Sequence, residues 1–279
     1  MKNFQEFSLI FLMAKQRKHH YVFVHLVQFL VFLAKKVSQI YKKKRLYSLF
    51  FYVIMIYNRL QKRGNVMTTI LFVRHGQSQA NHDKIFAGHL NADLTDIGME
   101  QAQKAAEHIA NNYKVDAVYA SDLLRAYKTG KATADCLGLP ITANDQLREI
   151  RAGKWDGTLF DQIPSLYPDD FALWMSDIGN SRCTDGESVK ELGERIVAAV
   201  TRIAKDNDGK TVVIATHATP IRVSQCLLGG HTLDEMKNIP WVSNCSITEV
   251  HYESDKWEFI KIGYDDHLAE LKTVLPTNV

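Results

Sequence analysis

Between positions 67 and 279, short apolar runs alternate with amphipathic stripes, and this alternation constrains the fold more than any other feature of the chain. Ile70 to Val73 is an unbroken apolar run too short for a helix, which marks a strand buried on both faces, and Thr211 to Ala215 reads the same way. Val115 to Ala120 is the next strand of this kind. Between strands, apolar residues return at helical spacing. They do so at Ala102, Ala105, Ala106, Ile109, Ala110 and Tyr113 behind a capping Thr95, then from Leu123 to Leu137, then at Val189, Leu192, Ile196, Val200 and Ile203. Ser246 to Tyr252 and Trp257 to Ile262 close the series as two further strands. Strand and helix in turn predict βαβ units on a largely parallel sheet, within one domain spanning 67–279.

From Glu149 to Gly186 the periodicity fades, and Trp155, Phe160, Tyr167, Phe171 and Trp174 stand among Gly, Pro and Asp. This predicts a helical insertion near 155–185 with a small aromatic core of its own, which can also shape a pocket beside the sheet.

Residues 1–66 have a different composition. They carry 13 Lys and Arg against one acid, Glu6, while 67–279 carry 21 against 30, so the overall net charge of +3 hides two opposite halves. The apolar runs Tyr21 to Ala34 and Leu46 to Tyr57, 14 and 12 residues long, fall short of the ~20 that cross a bilayer. No small-residue cleavage site follows Leu9 to Ala14, so a signal peptide fits poorly. Two readings remain. Phe, Tyr, Lys, Ile, Asn and Leu, all served by A/T-rich codons, fill 37 of the 66 positions, as upstream DNA read in frame would give, with Met67 as the working start. Alternatively, Lys35, Lys36, Lys42, Lys43, Lys44 and Arg45 flank amphipathic helices lying on an anionic membrane surface. Either way 1–66 is expected to stand outside the fold. The four cysteines are spaced 47, 43 and 19 positions apart with no C-x-x-C pair, which suits reduced thiols in the cytoplasm. A net acidic fold without a basic stripe excludes nucleic-acid binding.

In an open α/β sheet, ligands sit beyond the carboxyl ends of the strands. Two histidines occupy such positions, His75 within Arg74-His75-Gly76-Gln77-Ser78 and His217 within Thr216-His217-Ala218-Thr219. An Arg-His-Gly turn suits a phosphoryl group. Glycine lets the backbone approach an anion, arginine offers a planar fork of donors, and neutral imidazole is a nucleophile near pH 7.

These residues resemble the histidine phosphatase superfamily, also called phosphoglycerate mutase-like. Its opening motif R-H-G-x-[ST]-x-x-N is matched by Arg74, His75, Gly76, Ser78 and Asn81. The resemblance continues through Leu94-Thr95-Asp96-Ile97-Gly98, Ser121-Asp122-Leu123-Leu124-Arg125-Ala126 with Thr129, Leu147-Arg148-Glu149, Gly186-Glu187-Ser188, His217 and Asn244-Cys245-Ser246, covering 67–279 and none of 1–66. It implies a three-layer α/β/α sandwich and a phosphomonoesterase of histidine acid phosphatase type, in the phosphatase branch, acting on small phosphorylated metabolites without metal or cofactor. His75 would take the phosphoryl group as phosphohistidine. Arg74, Arg125, His217 and Asn81 would hold its oxygens, with Gln77, Ser78 and Ala218 beside them. Glu149 would serve as general acid and then base, with Asp156 or Asp161 as substitutes.

Two departures from the family pattern stand out. Ala218-Thr219 replaces the usual Gly-Gly after the second histidine, leaving less room beside His217. Arg151 and Lys154 replace residues of a common Phe-Gly stretch and are expected to add positive charge at the pocket mouth, suited to a second anionic group. His82, His89 and Asp93 lack the spacing of a metal site. The 68 positions from Glu149 to His217 leave no room for the mutase insertion, which favours hydrolysis over the alternative of cofactor-dependent phosphoglycerate mutase. An inactive, membrane-tethered binding protein is the third reading, and the complete residue set speaks against it. A homodimer is compatible with all three.

Overall fold

The structure, a computed structural model, describes residues 66–273. Both readings of 1–66 therefore concern residues that, Val66 apart, lie outside the described ones. In chain order the regular elements are β1 (Thr68–Arg74), the single turn α1 (Gln79–His82), α2 (Asp96–Asn112), β2 (Ala117–Ala120), α3 (Leu124–Leu137) and β3 (Ile141–Ala143). They continue with α4 (Ile163–Leu166), α5 (Pro168–Ser176), α6 (Val189–Asp206), β4 (Thr211–Thr216), α7 (Ala218–Leu228), β5 (Ile247–Glu253) and β6 (Lys256–Tyr264).

The six strands lie in the order β3-β2-β4-β1-β5-β6. The first four are parallel, while β5 and β6 run antiparallel at one edge. Strand side chains alternate between faces, and β1 shows the result. Ile70 and Phe72 join a core with Ile196, Val200, Val223 and Val250, whereas Leu71 and Val73 join one with Ile109, Ala134 and Val213. The sheet is thus covered by α6 and α7 on one face and by α2 and α3 on the other, the expected three layers. Thr95 caps α2, its hydroxyl accepting from the Gly98 N–H at 3.0 Å.

The insertion is helical, as expected, through α4 and α5 and several 3₁₀ turns. Its aromatic residues do not form a separate core. Trp155 is fully buried, meets Phe86 and Trp174 edge-on at ring separations of 5.4 and 5.7 Å, and belongs to the same cluster as Ile70, Phe72 and Ile196. A core is continuous wherever apolar side chains can reach one another, and the large rings reach the sheet face. The short strand β3 carries only Ile141 as an apolar residue of strand character, so its sequence gave no strand signal. All four cysteines are free thiols.

Candidate active site

The strand order explains the site. Because β4 lies between β1 and β2, with Arg74 opposite Thr216 and Ala120 opposite Ala215, the residues following these three strands emerge side by side. The ladder runs on past the strand ends. The His75 N–H donates to the Thr216 carbonyl at 2.9 Å, and the Ser121 N–H to the Ala215 carbonyl at 2.9 Å. His75, His217 and Ser121, far apart in sequence, meet at the carboxyl end of the parallel strands.

The His75 ring is buried, and its Nδ1 lies 2.7 Å from the Gly76 carbonyl. A carbonyl only accepts, so Nδ1 carries the proton and Nε2 keeps its lone pair. Arg125 Nε donates to that Nε2 at 3.3 Å. Burial, followed by the charges of Arg125 and Arg74, holds the imidazole well below its ordinary pKa and therefore neutral. The His217 ring stands 5.1 Å away, tilted by 63°. Its Nε2 is 2.8 Å from Ser121 Oγ, and among the described residues it is the only acceptor within reach of that buried hydroxyl, so the hydroxyl proton goes to Nε2. His217 is then protonated on Nδ1, which is buried without a partner. Burial is also the first cause that keeps His217 neutral.

Both arginines are buried and are pulled down to about 10 mainly by burial, so each stays charged at neutral pH. Arg125 is anchored by the Gly88 and Leu90 carbonyls at 2.9 and 2.8 Å. Arg74 Nη1 donates to the Val242 carbonyl at 2.6 Å, leaving its buried Nε without a partner. The half-buried Glu149 carboxylate accepts from the Ile150 N–H at 2.8 Å and from the Thr219 N–H at 3.4 Å, and its charge supports both arginines.

The remaining expected residues divide. Asn81 Oδ1 takes bonds from the Ser78 N–H, the Ser78 hydroxyl and Asn244 Nδ2, so its amide nitrogen is the group left to donate. Ser78 is committed to this capping box, with its hydroxyl proton on Asn81, and Gln77 is tied through its amide oxygen to Thr95 and through its N–H to Gln101. Both brace the loop through these groups. Ala218 opens α7 behind His217. Gly76 is required for a reason other than the expected one, since a Cβ there would fall 2.3 Å from the Gly98 carbonyl oxygen of α2.

Asp156 is half-buried, accepts from the His89 N–H at 3.1 Å and is held above its ordinary pKa chiefly by burial, while Asp161 is exposed. Lys154 pairs with Asp185 at 2.8 Å and Arg151 donates to the Asp185 carbonyl at 3.1 Å, so the positive charge expected at the mouth is partly neutralised. His82, His89 and Asp93 each go to a different partner, Asp83, the Glu149 carbonyl and Lys128. No residue spacing announced the supporting contacts of Ser121, Thr129 and Asn244. Thr129 Oγ1 accepts the Gly76 N–H at 3.0 Å, and Asn244 Nδ2 donates to the His75 carbonyl at 2.9 Å.

A family model of the histidine phosphatase superfamily (branch 1) matches residues 70–265, which include every residue of this site. The chain belongs to that superfamily. Histidine acid phosphatase names a different family, so the narrower label expected from the sequence does not hold. The histidine phosphatase is 28% identical over 204 residues to phosphoserine phosphatase 1 of Hydrogenobacter thermophilus, covering 73% of this chain and 96% of that protein. It is also 28% identical over 212 residues to the metal-independent phosphoserine phosphatase of Arabidopsis thaliana, covering 74% and 85%. Among solved structures, Bacillus stearothermophilus YhfR matches with a TM-score of 0.69 at 24% identity over 72% of this chain and 99% of that one, a likeness of fold. Among the described residues, no helix is long and apolar enough to cross a membrane, and no group of three or more His, Cys, Asp or Glu side chains could hold a metal ion.

Proposed function

We propose that this histidine phosphatase hydrolyses small phosphomonoesters through a phosphohistidine on His75. The observation that carries the reading is the lone pair of His75 Nε2, set 3.3 Å from Arg125 Nε, together with two further buried donors, Arg74 Nε and His217 Nδ1, that have no partner among the described residues. Buried donors without acceptors are costly in a folded protein. Oxygens of a phosphoryl group on Nε2 would satisfy both, and these donors together with Arg125 would stabilise the charge that develops in transfer.

In the first step, Nε2 attacks phosphorus and the P–O ester bond breaks. Its electron pair goes to the leaving oxygen, which takes a proton from Glu149, the carboxylate having received that proton from the monoanionic ester on binding. In the second step, a water oxygen attacks phosphorus, its proton passes to the Glu149 carboxylate, and the P–N pair returns to Nε2. Inorganic phosphate leaves as its monoanion with that proton, and Glu149 returns to the carboxylate. Asn81 Nδ2 supplies a further donor. The names of the relatives, both phosphoserine phosphatases, support small phosphorylated metabolites as the substrate class.

The test is a panel of phosphoserine, sugar phosphates and phosphoglycerates incubated with the full chain, with bisphosphoglycerate-dependent isomerisation assayed alongside. Release of inorganic phosphate exceeding isomerisation is expected, and the reverse would replace the reading with a mutase. The acid role of Glu149 has its own test. Glu149→Gln should cost an alkyl phosphate ~10²–10⁴-fold in kcat/KM, as lost acid catalysis does, and p-nitrophenyl phosphate much less, because phenolate leaves unaided.

A further inference from the structure

Glu149 lies in irregular backbone between two 3₁₀ turns, Asp145–Leu147 and Gly153–Trp155. An acid needs a fixed position, and α6 supplies the means. Arg195 is mostly buried, at 18% side-chain exposure, and reaches across from α6 to three carbonyls between positions 146 and 149. Its Nη1 donates to the Gln146 and Arg148 carbonyls at 2.9 and 2.8 Å, and its Nη2 to the Glu149 carbonyl at 2.7 Å. The two remaining directions of the guanidinium go to Glu187, with Nε to Oε1 at 2.7 Å and Nη2 to Oε2 at 2.9 Å. Glu187 in turn accepts the Arg151 N–H at 3.1 Å, and its own N–H donates to the Arg151 carbonyl at 2.7 Å. The acid is therefore gripped on both sides, before it at 146–148 and after it at 151.

The Glu149 carbonyl has a second donor, His89 Nε2 at 2.9 Å. His89 sits between Gly88 and Leu90, whose carbonyls anchor Arg125. One carbonyl thus joins the clamp from α6 to the loop that steadies a phosphate-facing arginine. A planar guanidinium satisfied on every edge, with its charge balanced by a buried carboxylate, costs conformational freedom that a loop with only a structural duty could do without.

We propose that Arg195 and Glu187 are positioning residues that set the Glu149 carboxyl against the leaving oxygen. The inference rests on Glu149 acting as the general acid. A displacement of ~1 Å at a reacting group can cost 10²-fold, and the loss should fall only where proton delivery matters. For Arg195→Met, kcat/KM on an alkyl phosphate is expected to drop ~10–10²-fold, and on p-nitrophenyl phosphate less than ~3-fold. Glu187→Gln leaves the guanidinium in place with a neutral partner and should show the same bias to a smaller degree.

The deciding measurement is a double-mutant cycle in the full chain, with Arg195→Met made in wild type and in Glu149→Gln and assayed on both esters. If Arg195 acts through Glu149, the second substitution adds nothing to the alkyl-ester loss. Equal losses on both esters, or full additivity in the Glu149→Gln background, would overturn the clamp. Should Arg195→Met not fold, Arg195→Lys decides by the same criteria, because one ammonium cannot serve three carbonyls and a carboxylate together. If Glu149→Gln alone shows no leaving-group bias, the acid assignment fails. If it shows the bias and the Arg195 variants do not, only the clamp fails.

Discussion

The exit of the parallel strands and the segment 146–187 both face the reacting centre, but they are built differently. At the strand exits, Arg74, His75 and His217 continue β1 and β4, so their places follow from hydrogen-bonded register that the ladder itself extends. In 146–187 short helices and 3₁₀ turns alternate with irregular backbone, and Glu149, in an irregular stretch, owes its place to long-range donors from α6, α7 and the 88–90 loop. The first region is rigid because its neighbours in sequence are rigid. The second is rigid only while its tertiary contacts hold. A phosphoryl group needs fixed donors at every stage, whereas an acid that later serves as base must handle a proton twice, and a half-buried position suits that exchange.

The largest expected effect lies in the first region. His75→Ala should abolish turnover, by ~10⁴-fold or more, because no other side chain offers the nucleophile, and steady-state phosphate release measures it. Substantial residual turnover would dissolve the contrast, since the strand exits would then be no more essential than the loop. Next, Arg125→Met should reduce kcat/KM ~10²–10³-fold as lost electrostatic donors do. Unlike Glu149→Gln, it should do so equally for alkyl and aryl esters, because the oxygens it serves are common to both.

The second region should break by stability before chemistry. Trp155 is fully buried and donates from Nε1 to Thr184 Oγ1 at 3.0 Å. Trp155→Ala should therefore cost ~3–5 kcal/mol of unfolding free energy by denaturant titration, while the folded fraction keeps most of its turnover of p-nitrophenyl phosphate. A loss of that turnover matching the His75 variant would mean that the two regions are not separable.

These contrasts also explain what the sequence made legible. The strand exits could be read because buried strands leave short apolar runs, and the residues after them are fixed by counting. Thr95 as a cap and the stripe of α6 were readable for the same local reason. The aromatic cluster was visible as composition, but its continuity with the sheet core depended on where Trp155 and Phe86 meet. Arg195 has no local signature. It lies beside Ile196 on a helix whose apolar stripe says nothing about a neighbouring arginine, and its importance comes from carbonyls 46 to 49 positions away. Ser78 and Gln77 show the converse, since their place in the motif does not announce the capping box or the bonds to Thr95 and Gln101 that brace the loop.

A smaller effect concerns pH. Both His75 and His217 are depressed below 6.5 by burial first, so the enzyme's contribution to kcat/KM should not titrate at 6.5, as that of an ordinary imidazole nucleophile would. Stability follows the same groups. Their unfolded forms bind protons first, so stability is complete above pH 6.5 and erodes as pH falls below it; for His267, lowered to about 4 chiefly by burial, the window runs from 6.5 to about 4. Thermal melts across that range would register the decline, and a flat profile would contradict it.

The central claim is that the phosphoryl group passes through His75, and rapid acid-free quenching of the full chain tests it most directly. Glu149→Gln should form the phosphoenzyme from ³²P-labelled p-nitrophenyl phosphate readily, because the leaving group needs no acid, and hydrolyse it slowly, because water loses its base. The expected result is a burst approaching one p-nitrophenolate per chain, with matching base-stable, acid-labile label on the peptide containing His75. Continued turnover with no burst and no label on that peptide would contradict the account.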